Sequence, residues 1–160
     1  MEYICHVKEL SVTCIMLYIS HLHQVLKASN WRKQFVFVNP CVVSGKIMAG
    51  EKSKSVLLAR RLEEAMLEQL VLIPYNIGAL KIYETTQRRR RTIPVWKVVQ
   101  SPQQPTNVEC GFYVMRYMKD LIRDQSILRK QNFNGKKTYT ETELDEVRVE
   151  WINFILKNMS

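Results

Sequence analysis

Four consecutive apolar residues, Leu70-Val71-Leu72-Ile73, constrain this chain more than any other feature. The run is too short for a helix of its own and is ended by Pro74, so it reads as a strand. A strand with one wet face alternates apolar and polar residues; this one does not, which implies burial on both faces. Such a strand needs helices to cover it, and the periodicity elsewhere predicts them. Leu10 to Leu26 repeats Val12, Ile15, Met16, Ile19, Leu22 and Leu26 at helical spacing. Ser55 to Gln69 is amphipathic, with Val56, Leu57, Ala59, Leu62, Met66 and Leu67 on its apolar side. Cys110 to Ser126 turns Val114, Met115, Met118, Leu121 and Ile122 inward. Thr140 to Asn158 does the same with Leu144, Val147, Trp151, Phe154 and Ile155, and Thr140 with Glu143 makes a capping box at its start. Short strands are expected at Phe35–Val38, stopped by Asn39-Pro40, and at Val95–Val99, with a turn at Asn76-Ile77-Gly78. The expected class is α+β, in one domain over residues 1–160 with no internal repeat.

Composition narrows the reading. With 160 residues, 46% of them hydrophobic, the chain can build a true core, and five glycines and five prolines exclude collagen-like and low-complexity classes. The net charge of +9 is local rather than spread over a face, since five of the nine come from residues 81–100. Arg88-Arg89-Arg90-Arg91 could hold phosphates or serve as a nuclear import signal. No aromatic stacking platform accompanies it, so a solvated loop is the expectation and nucleic acid is not an expected partner. Cys5, Cys14, Cys41 and Cys110 show neither zinc-type spacing nor the density of a disulfide scaffold. No metal or cofactor is expected. The apolar stretch Val12–Ile19 is too short to span a bilayer and no small-residue cleavage site follows it. An intracellular chain with free thiols, nuclear or cytoplasmic and not in a membrane, is the resulting expectation.

The chemistry concentrates in Ser101-Pro102-Gln103-Gln104-Pro105-Thr106-Asn107-Val108-Glu109-Cys110-Gly111. A loop rich in Pro and Gln delivers a cysteine to the first turn of a helix, where free amides and the helix dipole stabilise a thiolate. Gly111 permits a close backbone approach, and an upstream glutamine can aim an amide N–H at a developing oxyanion.

These residues resemble the active-site segment of the ubiquitin-like (SUMO-type) cysteine protease family, and more closely the peptidase domains encoded by plant transposable elements. Other segments carry the same resemblance: Phe35-Val36-Phe37-Val38-Asn39-Pro40, Leu70 to Gly78, Tyr113 to Asp120, and Lys137 to Trp151. It covers nearly the whole chain. The resemblance implies a papain-like fold and peptide or isopeptide cleavage after the Gly-Gly tail of a ubiquitin-like modifier. It assigns Cys110 as nucleophile and Gln104 as the oxyanion-hole donor.

The chain departs from that family after Gly78. There the family continues with a strand bearing the general-base histidine, followed by a tryptophan, and a strand ending in the orienting aspartate. Here Ala79-Leu80-Lys81 follows, similar to a later part of the family, as though an internal block were deleted between residues 78 and 79. Neither a base histidine nor an orienting aspartate is thereby assigned. His6, His21 and His23 all lie near the N-terminus, and His21 and His23, two apart on a helix, point in different directions. Trp96 sits on another segment and does not replace the lost tryptophan. The central sheet is expected to be truncated, leaving Leu70–Ile73 without ladder partners and the domain prone to fold poorly or self-associate. Three readings follow: a protease-family domain inactive or impaired for want of its base, a non-catalytic interaction module, or a truncated or misspliced copy.

Overall fold

The structure is a computed structural model that describes residues 10–29, 31, 34–43, 51–65, 69–75, 79–84, 96–97, 99–106 and 109–158. Cys5, His6, the turn at 76–78, the arginine run at 88–91, and Asn107 with Val108 lie outside the described residues. The chain mixes helices with a small sheet, the helices predominating. In order it forms α1 (Val12–Lys27), β1 (Phe35–Phe37), α2 (Pro40–Val43), α3 (Glu51–Glu64), β2 (Leu70–Tyr75), β3 (Ala79–Glu84) and β4 (Trp96–Lys97). It continues with α4 (Cys110–Arg123), α5 (Ser126–Lys130) and α6 (Glu141–Asn158).

The four strands lie in sequence order, with β1 parallel to β2 and the remaining pairs antiparallel. A parallel pair needs a crossover, and α3 supplies it. Leu58 and Leu62 of α3 pack with Val36, Val38, Ala65, Val71 and Ile73 on one side of the sheet. On the other side Leu70 and Leu72 join the main core with Phe35, Phe37, α1, α4 and α6. Consecutive residues of β2 therefore enter two different cores, and all four from Leu70 to Ile73 are buried. The unbroken apolar run has the two-sided burial it implied.

Its expected isolation is corrected. β2 has ladder partners on both sides, pairing Phe35–Phe37 in one direction and Ala79–Glu84 in the other. Residues 79–84, not among the strands expected from the sequence, pair antiparallel with β2 and satisfy its backbone. The strand also runs through Pro74 to Tyr75 instead of stopping before it. Leu70 donates its N–H to Gln34, on the β1 side, so the even-numbered positions of β2 face that way. The nitrogen of Pro74 thus points past Phe37, the last residue of β1, where no N–H is needed.

Helix α4 is the axis of the main core: every residue from Gly111 to Met118 is buried, including Phe112, Tyr113, Arg116 and Tyr117 beyond the inward set expected from periodicity. α1 runs alongside it in the same direction, with Leu10 against Gly111 at one end and His21 beside Lys119 towards the other. In α3 the sheet-facing side is Leu58, Leu62 and then Ala65, whereas Ala59 is exposed. α6 begins as expected. The Thr140 N–H donates to Glu143 Oε2 at 2.9 Å, and the Glu143 N–H donates back to Thr140 Oγ1 at 3.3 Å.

A charged network binds α4 to α6. Arg116, itself buried, contacts Asp120 at 3.1 Å and Glu146 at 2.6 Å and donates to the Glu143 carbonyl. Lys119 reaches Glu146 and Glu150, and Tyr18 of α1 donates to Glu150. Burial works against the Arg116 charge, but Asp120 and Glu146 outweigh it and hold the guanidinium more firmly protonated than usual.

Candidate active site

Cys110 is the first residue of α4, with Glu109 at the cap position making no side-chain capping bond. The first helical amides have no intrahelical partner and carry the positive end of the dipole, so the thiol sits in an anion-favouring place. Cys110 is partly exposed and, like Cys14 and Cys41, is not part of a disulfide.

Gln104 reaches it. Its Nε2 donates to Cys110 Sγ at 3.1 Å, across six residues of sequence. The other end of that amide, Oε1, is buried with no hydrogen-bond partner among the described residues. A buried carbonyl oxygen left unmatched costs about 1–3 kcal/mol. With Oε1 unmatched, the placement of the glutamine rests on its bond to the sulfur and on its backbone.

That backbone has three anchors. The Gln100 N–H donates to the Gln131 carbonyl at 2.9 Å, and the Phe133 N–H returns a bond to the Gln100 carbonyl at 3.3 Å. The Gln103 N–H donates to Lys137 at 2.7 Å. Between them, Tyr117 Oη donates to the Pro102 carbonyl. Tyr117 belongs to an aromatic cluster with Tyr113, Phe133 and Tyr139, whose ring centroids lie 5.3–6.0 Å apart. Burial pushes the Tyr117 hydroxyl up to about 12, so it stays a donor at neutral pH.

Gly111 makes its close approach to Leu10. A side-chain carbon there would stand 2.6 Å from Leu10 Cβ, so the close approach is to the residue that leads into α1.

The two described histidines stand away from the thiol and apart from each other. His21 faces α6, with Glu150 at 4.0 Å and the Phe154 ring at 5.5 Å between centroids. His23 packs edge-on against Phe37 of β1, 5.0 Å between centroids. His21 lines a cavity of about 340 Å³ with Lys119 and Ile122. Nine residues of helix separate Cys110 from Lys119, a rise of about 13 Å. Desolvation lowers the His21 pKa below its ordinary 6.5, against the pull of Glu150.

The geometry thus unites the two residues singled out in the sequence, Gln104 and Cys110. The Tyr117 strap was not among the expected site residues, because a hydroxyl-to-carbonyl contact fifteen positions away leaves no periodic trace. No group of three or more His, Cys, Asp or Glu among the described residues could hold a metal ion. No helix among them is long and apolar enough to cross a membrane. The chain matches no protein-family model, no curated protein and no solved structure.

Proposed function

We propose that this chain is a domain of the ubiquitin-like protease family by descent, of papain-like type, which engages the C-terminal tail of a ubiquitin-like modifier through Cys110 and Gln104 and in which neither described histidine serves as the base for turnover. The observation that carries the reading is the Gln104 amide donating to the Cys110 sulfur at 3.1 Å, at the first turn of a buried helix.

In peptide or isopeptide cleavage the cysteine sulfur attacks the carbonyl carbon at the end of the tail. The carbonyl oxygen becomes an oxyanion, and an N–H donor beside the sulfur is suitably placed to stabilise it. The C–N bond then breaks, and the leaving amine must gain a proton. A thiol without a base in reach fails at both proton transfers. An electrophile that needs no amine protonation asks only for the thiolate and the bound tail. The proposed role is accordingly modifier binding with at most impaired cleavage, in the nucleus or cytoplasm.

The test is a ubiquitin-like modifier bearing a C-terminal Michael acceptor, which forms a thioether with a reactive cysteine. Labelling at Cys110 that vanishes on denaturation and on Cys110→Ser is the expected result. Cleavage of a modifier fusion at a rate typical of an enzyme would show that a base is present. Neither labelling nor binding, across a panel of modifiers, would sink the family reading.

A further inference from the structure

Helix α4 holds both ends of the proposed site. Cys110 opens the helix, and Tyr117, seven residues on and two turns along the same face, reaches back to the loop that carries Gln104. Pro102, which accepts the Tyr117 hydroxyl, is buried and lies two residues before Gln104. The Gln104 side chain contributes no second anchor, because its Oε1 has no partner among the described residues. We infer that Tyr117 is a positioning residue, whose hydroxyl sets the reach of Gln104 to the Cys110 sulfur by fastening the loop to the helix that bears the cysteine.

This rests on the reading of Cys110 and Gln104 as the reactive pair, and the two can be separated. Tyr117→Phe keeps the ring in its cluster and removes the hydroxyl, which donates to Pro102 and also bonds the Ser101 side chain of the same loop. Tyr139→Phe is the control: it removes a hydroxyl from the same cluster, but one that donates to Asp120 at 2.8 Å. The readout is the pH profile of alkylation at Cys110 by iodoacetamide, resolved from the other cysteines by peptide mass spectrometry, on the full chain. An N–H donor to sulfur favours the thiolate, so losing it slows alkylation at neutral pH and moves the profile to higher pH. Gln104→Ala and Tyr117→Phe should each slow Cys110 by about fivefold, the factor carried by one neutral hydrogen bond. The double variant should be no slower than Gln104→Ala, and Tyr139→Phe should follow the parent profile. If Gln104→Ala moves the profile and Tyr117→Phe does not, the positioning role is wrong. It is equally wrong if the two effects multiply or if Tyr139→Phe has the same effect as Tyr117→Phe. If Gln104→Ala itself changes nothing, the reactive pair fails, and Tyr117 loses its role with it.

Discussion

Leu10 lies directly over Gly111, its Cβ 2.6 Å from where a side-chain carbon on that glycine would be. The contact is with the root of the leucine and not with a flexible tip, so the backbone must move to admit even a methyl group. Gly111→Ala should destabilise the fold by about 1–3 kcal/mol, the usual cost of overfilling a packed site. Urea denaturation measures it, and Leu10→Gly in the same chain should recover part of the loss. Because Gly111 adjoins Cys110, the single variant should also change the alkylation rate of that thiol.

Arg116 should be intolerant of neutral replacement. Arg116→Met leaves Asp120 without its counter-charge while the half-exposed Glu146 keeps Lys119, and the loss should be about 1–3 kcal/mol. The part owed to Arg116 and Asp120, both largely shielded from water, should persist at high salt, since such a pair is weakly screened. A loss that disappears at 1 M salt would show that the network is only a surface feature.

Acid should weaken the fold in two windows. The His21 pKa is lowered in the folded state, so the unfolded chain binds the proton more readily, and stability falls as pH drops below about 6.5. His21→Gln should flatten that first decline in a series of melting curves. Hydrogen bonds from Lys119 and Arg116 hold Glu146 below its ordinary 4.5. Its contribution is present above that pH and is lost on further acidification, a second decline that Glu146→Gln should reduce.

The start of α6 offers a smaller test. Thr140→Ala removes one half of the reciprocal bonding with Glu143 and should cost about 1 kcal/mol, while Thr140→Ser should cost much less.

Local signals were readable and distant ones were not. The four apolar residues of β2, the capping box and the helix opening at Cys110 are each written within a few neighbouring residues. That an upstream glutamine could aim its amide near Cys110 was readable too, whereas its assignment to Gln104 came from the resemblance alone. Strand β3 was missed because its partner, not its own composition, makes it a strand: Ala79–Glu84 supplies a ladder that Leu70–Tyr75 requires. Tyr18, Arg116 and Arg148 carry polar tips, so apolar periodicity passes over them, although all three are buried. Arg148 is settled by Asp145, its i,i+3 partner, and by Glu141, and it lies 4.7 Å over the Phe112 ring, a contact that no spacing rule anticipates.

Among the described residues, the outermost strands of the sheet are its shortest. β1 has three residues and β4 two, while the six-residue strands β2 and β3 are enclosed between them. A foreign chain seeking to extend the sheet from either described border finds a template of two or three residues, enough for only a bond or two. The long apolar strand that might have recruited other copies is instead sealed in the middle. Among the described residues, the sheet limits its own growth by the brevity of its margins.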